Sequence, residues 1–496
     1  MGKRARPDVQ YHAGLGPSQL KSFAKIIGGR SIFITGSAGT GKSELIKRVT
    51  SYWEDRKHKF AVTATTGISS IGIGGKTLHS FMWLSFEDED ISAQEVYERL
   101  SKKPAFKWYL KTMAALQSLI IDEVSMLTIN LFKKISDLFK LIRLNGQPFG
   151  GLQVILCGDF FQLPPVIKRD PTGIKPKQKF IFECPEFYQT IKDREVLNET
   201  FRQTQTIFVE LLGRLRKNQL TDADIDILKS RVDADVSKMG IQPTELYSTN
   251  KDVDQLNSER LSQIKTTAEN FVVYSGLQSR GLDVETKTKC IDKFLKDIGS
   301  IQTISLKPPH ESAMTQVMLT YNLKQERGLV NGSRGAVIDF ETPCSARSTH
   351  KSIFHDFTDD DEINNSRVYI KDLKHPKVRF IIDGHTEDIL VPYIRIQRTV
   401  TVAGQKCLCY AWIMPLKLAW ATTVHKSQGQ SLDCLKVALD SSIFEEGQAY
   451  VAVSRARTLE GLTLTSFDTS VIKSNENVIK FYATEFDLCE NIFLSV

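Results

Sequence analysis

The chain has 496 residues, about three times the length of a typical domain, which excludes a single small binding module. Hydrophobic residues make up 41% of the sequence and charged residues 25%, and no apolar run approaches the roughly 20 residues that span a bilayer. This composition predicts a globular protein with no membrane partner. The 65 basic and 58 acidic side chains leave a net charge of +7, which is compatible with nucleic acid binding but does not identify it. Eight scattered cysteines predict reduced thiols and an intracellular protein.

The first 200 residues alternate short apolar runs with helical patterns. A helix is predicted over 17–27 with Gly28-Gly29 as its end, followed by a strand over 31–35. A glycine-rich segment and a second helix, from Glu44 to about Trp53, come next. Further buried strands are predicted over 60–64, 119–121 and 154–157. This alternation is typical of the α/β class, in which helices wrap a parallel sheet.

Later segments differ in pattern. A second α/β region is predicted to begin near Phe201 and to resume at Leu416. Between them, residues 368–412 form short β-type runs with turn signals at Asp383-Gly384 and Ala403-Gly404. We therefore predict a small barrel or sandwich that interrupts the second α/β region.

The glycine-rich segment fits the phosphate-loop pattern G-x-x-x-x-G-K-[ST] in full and lies between a strand and a helix, as that pattern requires. Its glycines allow backbone N–H groups to surround a phosphate at the positive end of the helix. Lys42 is expected to neutralise the β- and γ-phosphates of ATP, and Ser43 to ligate Mg²⁺. The predicted nucleotide-binding residues are Gly36, Ser37, Ala38, Gly39, Thr40, Gly41, Lys42 and Ser43.

Two later strands supply acidic and amide groups. The strand over 119–121 ends at Asp122 and Glu123, which are expected to hold Mg²⁺ through water and to polarise the attacking water, respectively. Gln162 follows the next strand and could sense the γ-phosphate or orient water; the alternative is a structural amide.

Together these motifs resemble the petite-integration-frequency (Pif) helicases of superfamily 1B. The resemblance runs from Leu15 to about Phe481 and includes the segment Gln147-Pro-Phe-Gly-Gly-Leu-Gln153 before GDFFQLPPV. It implies that Gln19 reads the adenine base and that Gly429 contacts the nucleotide. It also implies that Arg202, in Phe201-Arg202-Gln203, and Arg455, in the run from Tyr450 to Arg457, contact the γ-phosphate. Arginines arriving from a second domain stabilise the transition state only when the cleft is closed.

The resemblance also implies a path for single-stranded DNA. Small hydroxyls and backbone amides suit phosphates, and flat rings suit bases of any sequence. The implied contacts are Thr66, Gly67, Thr77, His79 and Phe81 in the first domain, and Thr423 and His425 in the second.

The resemblance implies two RecA-like motor domains with two insertions. We expect a first motor domain over 1–203 with a wedge insertion over 84–111, a second motor domain over 204–314 and 413–496, and a β-barrel insertion over 315–412. The implied activity is ATP- and Mg²⁺-dependent 5′-to-3′ unwinding of DNA, acting on single-stranded, forked or structured DNA in replication, repair, recombination or telomere maintenance.

Two alternatives stay open on the sequence alone: a RecD-type DNA-stimulated translocase that unwinds poorly by itself, and a P-loop nucleotide kinase or switch. We expect a monomer, located in the nucleus if the source is eukaryotic, with the mitochondrion as the second compartment.

Overall fold

The structure is a computed structural model. It describes residues 9–84, 88, 91–102, 104–165, 179–199, 205–235, 243–277, 283–297, 304–310, 313–321, 323–324, 327, 329, 333–342, 367–368, 374–382, 385–402, 405–432 and 434–486. The chain divides into two compact units, residues 1–250 with 422–496 and residues 251–421. Within the described residues, no helix combines the length and apolar character that a membrane crossing requires.

The first half of the larger unit is a six-stranded parallel sheet in the order β3-β2-β4-β5-β1-β6. Its strands are β1 Ile32–Thr35, β2 Phe60–Ala64, β3 Lys76–Thr77, β4 Ser118–Asp122, β5 Gln153–Cys157 and β6 Asp193–Val196. Its helices are α1 Val9–His12, α2 Pro17–Ile27, α3 Lys42–Asp55, α4 Gly67–Gly72, α5 Leu78–Met82, α6 Ala93–Ser101, α7 Pro104–Ala114, α8 Ile129–Arg143 and α9 Pro185–Thr190. Short 3₁₀ turns lie at Val124–Met126, Pro148–Gly151 and Ile181–Glu183.

The predicted elements of this half are confirmed. Helix α2 has the predicted bounds and ends at Gly28, with Gly29 in the left-handed region at φ +81°. Strand β2 has the predicted bounds, and β4 and β5 are longer than predicted by one or two residues. All five residues of β4 are buried, because a strand inside a parallel sheet is covered by helices on both faces. The α/β prediction is therefore confirmed.

The second half of the larger unit is a four-stranded sheet in the order β19-β7-β20-β21. It begins with α10 Thr206–Lys217, α11 Asp222–Lys229 and β7 Thr244–Tyr247. Strand β20 pairs in parallel with β7 and β21. Four leucine and phenylalanine residues of α10 belong to the core of this half, together with residues of β20 and β21: Phe208, Leu211, Leu212 and Leu215.

The smaller unit, 251–421, is mainly antiparallel. Its helices are α12 Asn250–Gln263 and α13 Val284–Asp297. Its strands are β8 Glu269–Phe271, β9 Tyr274–Leu277, β10 Ile304–Leu306, β11 Gln316–Leu319, β12 Arg334–Glu341, β13 Arg367–Val368, β14 His375–Ile382, β15 His385–Leu390, β16 Tyr393–Val402, β17 Gln405–Ile413 and β18 Leu416–Leu418. They form sheets in the orders β10-β8, β15-β14-β12-β11-β18 and β13-β16-β17-β9.

The short strands predicted in this unit are confirmed. Strands β14 and β15 pair up to Ile382↔His385, and β16 and β17 pair up to Val402↔Gln405. The predicted turns at 383–384 and 403–404 lie outside the described residues. The two larger sheets share one hydrophobic core, to which α13 contributes Cys290 and Phe294.

The chain then returns to the larger unit. It adds β19 Ala421–Thr423, α14 Val424–Ser427, β20 Leu435–Leu439, α15 Gln448–Val453, β21 Leu462–Phe467, a 3₁₀ turn at Thr469–Val471 and α16 Glu476–Glu485. Although it follows β21, α16 packs in the core of the first half: Phe481 stacks on Phe182 with ring centroids 4.2 Å apart. Helix α16 therefore joins the two halves.

Candidate active site

The glycine-rich segment forms a loop between β1 and α3. Gly39 and Gly41 lie in the left-handed region, at φ +87° and +76°, a conformation that glycine adopts without steric penalty. A Cβ atom on Gly36 would come within 2.5 Å of Thr40 Oγ1 and 2.8 Å of Leu197 O, so the loop has no room for a larger residue there. Helix α3 begins at Lys42, which directs its N-terminal N–H groups toward the loop and makes an anion-binding site.

Gln19 lies directly against this loop. It is buried, its Oε1 accepts from Gly16 N at 2.9 Å, and its Nε2 donates to Gly41 O at 3.1 Å. These bonds fix the loop to the N-terminus of α2. Both ends of the amide are engaged, so reading an adenine base requires one of these bonds to be exchanged.

The carboxyl end of β4 carries the acidic pair. Asp122 is buried, and its Oδ1 accepts from Glu123 N at 2.9 Å. Burial, together with the negative charge of Glu123, raises the pKa of Asp122 to about 7. Glu123 itself is in the left-handed region at φ +55°, which costs a non-glycine residue roughly 1 to 2 kcal/mol. Such strain at a carboxylate is typical of functional sites.

Lys42 is the cation of the loop. Its Nζ donates to Gly36 O at 2.7 Å and to Ser37 O at 3.0 Å. Desolvation lowers its pKa, and the negative charges of Asp159, Glu123 and Asp122 oppose that change. The charges of the acidic groups that follow β4 and β5 therefore act on this amine.

The donor set suits a magnesium ion. Asp122 and Ser43 offer the hard oxygen ligands that Mg²⁺ prefers, and a divalent cation would offset the burial and the charge of Glu123 that together raise the pKa of Asp122. Within the described part of the chain, no cluster of three or more His, Cys, Asp or Glu side chains forms a metal cage. A magnesium ion there would take its other ligands from phosphate oxygens and water.

The remaining predicted catalytic side chains have different surroundings. Gln162 is 5% exposed, and its Oε1 makes no hydrogen bond to any described residue. Arg455 is buried and donates to Val451 O, Gln430 O and Ser454 Oγ, all in the second half. Arg202 lies outside the described residues.

The two halves meet at Glu123. Gln428 is buried, and its Nε2 donates to Glu123 Oε2 at 3.0 Å and to Ser125 Oγ at 3.3 Å. A Cβ atom on Gly429 would lie 2.7 Å from Ser69 Oγ and 3.5 Å from Glu123 Oε1. The segment after α14 therefore reaches the acidic pair of the first half. Sequence reasoning selected Gly429 here but missed Gln428, which stood in the same motif.

The strand-contacting residues predicted in the first half lie at helix starts. Thr66 Oγ1 donates to Ser69 Oγ at 2.8 Å at the start of α4, and Thr77 Oγ1 accepts from Ser80 N at 3.2 Å at the start of α5. His79 is half-buried on α5, whereas Phe81 is 8% exposed and packs in the core. Gly67 is the first residue of α4.

Thr65 connects this region with the acidic pair, although sequence reasoning did not select it. Its N–H donates to Asp122 O at 3.2 Å, and its Oγ1 donates to Glu123 O at 2.8 Å. The residue before Thr66 is therefore bonded to the backbone at the end of β4.

In the second half, the predicted strand-contacting residues lie at the start of α14. Thr423 Oγ1 accepts from Lys426 N at 3.3 Å and caps the helix. His425 Nε2 lies 2.9 Å from Glu445 Oε2. Since Gln428 follows directly after α14, this short helix carries both the predicted strand contacts and the contact with Glu123.

A phosphate loop, an acidic pair and a second α/β half reaching that pair define a P-loop protein with two RecA-like halves. A family model described as PIF1-like helicase matches residues 15–219, and one described as DNA helicase Pif1, 2B domain, matches residues 314–340. The ATP-dependent DNA helicase PIF1 of Danio rerio is 34% identical over 473 residues, which are 94% of this chain and 63% of the relative. This chain thus spans a little under two thirds of that relative's length.

Solved structures agree with this classification. The Pif1 helicase from Candida albicans superposes with a TM-score of 0.77 at 33% identity, over 94% of this chain and 98% of that one. The Pif1 helicase from Bacteroides in complex with ADP-AlF3 and single-stranded DNA gives 0.67 at 25% identity, over 95% and 98%. The chain belongs to the PIF1-like helicase family.

Proposed function

We propose that this protein is an ATP-dependent DNA helicase that moves 5′ to 3′ on single-stranded DNA and unwinds duplexes. The contact between Gln428 and Glu123, at 3.0 Å, is the observation that carries this proposal. It joins the acidic pair beside the phosphate loop to a helix with predicted strand contacts. A nucleotide kinase or switch has no need of such a link.

In this mechanism the loop around Lys42 binds the phosphates of ATP, and Gln19 lies beside the adenine base. Glu123 accepts a proton from the attacking water, and Gln162 orients that water or senses the γ-phosphate. Arg202 and Arg455 approach the γ-phosphate when the halves close. Magnesium, held by Ser43 and Asp122, would neutralise charge on the phosphate oxygens.

The single strand is proposed to run along both halves. Thr66, Gly67 and Thr77 offer hydroxyl and backbone groups at the starts of α4 and α5, and Thr423 does the same at α14. His79, Phe81 and His425 supply rings. Phe81 is largely buried, so stacking on a base is expected to rely more on the two half-buried histidines.

The proposed domain organisation keeps the two insertions. A wedge over 84–111 lies within the first motor domain, and a barrel over 315–412 within the second, as the 2B-domain match to residues 314–340 supports.

Forked or structured DNA is the proposed substrate, in replication, repair, recombination or telomere maintenance. We propose an intracellular monomer, acting in the nucleus if the source is eukaryotic, with the mitochondrion as the second compartment.

The decisive experiment is steady-state ATP turnover with and without single-stranded DNA. We expect strong stimulation by DNA in the wild type. Lys42→Ala should lower stimulated turnover by at least about 100-fold, because it removes the cation that faces the phosphates, while much of the affinity for single-stranded DNA remains. Lys47→Ala, an exposed lysine on the same helix, is the matched control and should behave as wild type.

Polarity is tested on the same preparation with forked and tailed duplexes. Unwinding that requires a 5′ tail supports the proposal. ATP turnover that ignores single-stranded DNA contradicts it and favours a kinase or switch, whereas stimulated turnover without strand separation indicates a RecD-type translocase.

A further inference from the structure

A second contact joins the two halves, and it is an ion pair. Asp159, in the loop after β5, is fully buried, and Arg216 on α10 is 7% exposed. Arg216 Nη2 donates to Asp159 Oδ1 at 2.7 Å, and its Nε donates to Oδ2 at 2.9 Å. Two parallel bonds of this kind fix the orientation of both groups.

Aromatic rings enclose this ion pair. The guanidinium of Arg216 lies 4.4 Å from the ring centroid of Phe161 and 5.1 Å from that of Tyr482 on α16. The Tyr482 hydroxyl approaches Asp159 Oδ1 at 3.4 Å and accepts from Phe160 N at 3.2 Å. A buried cation this close to aromatic rings gains electrostatic stabilisation from them.

The same carboxylate is linked to the phosphate loop. Tyr450 on α15 approaches Asp159 Oδ2 through its hydroxyl at 3.4 Å, and that hydroxyl accepts from Ala38 N at 2.9 Å. Asp159 also precedes Gln162 in one turn, since Gln162 N donates to Asp159 O at 2.9 Å. One carboxylate thus holds residues of both halves beside the loop and beside Gln162.

This arrangement differs from the contact at Glu123, where a single neutral amide crosses between the halves. Separating Arg216 from Asp159 would break two charge-assisted hydrogen bonds between buried groups and remove the attraction that offsets their burial, which is strongly unfavourable. Moving Gln428 away from Glu123 breaks only the hydrogen bonds of one neutral amide group, to Glu123 Oε2 and Ser125 Oγ. A cycle of opening and closing would therefore use the weaker contact and keep the stronger one.

We propose that the Arg216–Asp159 pair is the pivot of the motor, a contact that stays closed while the halves open and close at Glu123. Arg216 is then a positioning residue: it acts through Asp159 to keep the turn carrying Gln162 in register with the second half. This inference rests on the proposed function, because it assumes a cycle driven by ATP and single-stranded DNA.

Hydrogen exchange of the wild-type protein tests whether the contact persists. Exchange is compared for the free protein and for the protein with Mg-ADP-aluminium fluoride and single-stranded DNA. We expect the peptides containing Phe160 and Arg216 to exchange equally slowly in both states, whereas the peptide containing Gln428 and Gly429 slows on binding. A change at Phe160 or Arg216 as large as that at Gln428 overturns the pivot.

Kinetics of Arg216→Gln and Arg216→Lys test the positioning role. In Arg216→Gln, the stimulation of kcat by single-stranded DNA should fall about tenfold, a typical size for coupling between two sites. Its DNA-free kcat and its KM for ATP should stay within about threefold of wild type. Arg216→Lys keeps the charge and should recover part of the stimulation. An equal loss of kcat with and without DNA indicates a merely structural role and overturns the proposal.

The two proposals fail separately. A wild-type protein without DNA-stimulated turnover contradicts the proposed function. A stimulated wild type whose Arg216→Gln variant is stimulated to the same degree contradicts the pivot alone.

Discussion

The two contacts between the α/β halves, at Asp159 and at Glu123, are built from different chemistry. At Asp159 a buried carboxylate meets a guanidinium, two tyrosine hydroxyls and two aromatic ring faces. At Glu123 an amide from Gln428 crosses the boundary beside a glycine. Breaking the first contact requires much more free energy than breaking the second. In the proposed motor, this difference predicts which contact stays closed and which one opens.

The largest expected effect is on stability at the pivot. Arg216→Met leaves Asp159 buried without its cation, so the free energy of unfolding should fall by about 3 to 5 kcal/mol. Urea denaturation followed by circular dichroism measures this loss.

The matched control is Arg48→Met, which breaks an exposed i,i+4 pair with Glu44. That change should lower the free energy of unfolding by less than about 0.5 kcal/mol. If the two variants lose equal stability, the pair at Asp159 is no stronger than a surface pair, and the expected difference between the contacts at Asp159 and Glu123 is wrong.

The second effect is on catalysis at the movable contact. Gln428→Ala removes the amide that donates to Glu123 Oε2, a hydrogen bond to a charged group. Such bonds contribute about 1.5 to 3 kcal/mol, so DNA-stimulated turnover should fall about 10- to 100-fold. Affinity for single-stranded DNA, measured by fluorescence anisotropy, should stay near the wild-type value.

Gln430→Ala is the control for this change, because Gln430 contributes its backbone carbonyl to Arg455 and its backbone N–H to Ser427 O. It should keep nearly all of its turnover. Full activity in Gln428→Ala would show that the contact at Glu123 has no part in hydrolysis.

Sequence reasoning assigned a role to Glu123, but it assigned none to Arg216 or Asp159. The phosphate loop and the acidic pair are short motifs fixed by local geometry, at the ends of strands whose apolar runs are visible in the sequence. Arg216 gave no such signal: it is one of three basic residues in the last turn of α10, and such residues are usually solvated. Its partner lies 57 residues away, and Tyr482 lies 323 residues from the same carboxylate.

The same limit applies to the end of the chain. The periodicity of 476–485 allows a helix to be predicted. Which core that helix packs against depends on tertiary contacts that the periodicity does not reveal. The structure places Phe481 among phenylalanines of the first half, although its position in the sequence follows the last strand of the second sheet. Domain boundaries inferred from the order of motifs therefore remain predictions.

A neighbouring ion pair on α10 offers a pH-dependent contrast. Arg214 donates to Asp224 at 2.6 Å and holds the pKa of that carboxyl down at about 2. Because the folded-state pKa lies below the unfolded value, the pair stabilises the fold above about pH 4 and loses this contribution as the pH falls toward about 2. With Arg214 partly in water, we expect Asp224→Asn to lower the free energy of unfolding by about 1 to 2 kcal/mol at neutral pH.

The check is urea denaturation of wild type and Asp224→Asn across this pH range. The difference between them should shrink on going from about pH 5 toward about pH 3, since protonation of Asp224 has the same effect as the substitution. A difference that does not depend on pH would mean that the Asn side chain disturbs packing or the helix cap, and not the ion pair.

The smallest effect sharpens the link between the pivot and the nucleotide. Tyr450→Phe removes the hydroxyl that accepts from Ala38 N and approaches Asp159. The ion pair stays intact, and one amide of the phosphate loop loses its partner, so the expected change is about 1 kcal/mol. Since that amide belongs to the nucleotide loop, the change should appear as a rise of a few fold in the KM for ATP.

The control is Tyr188→Phe, at a tyrosine that is 38% exposed on α9, and it should leave that KM unaltered. A Tyr450→Phe variant with wild-type KM and lowered stability would show that Tyr450 supports the pivot without reaching the nucleotide, and the motor would then have to transmit movement through Glu123 alone.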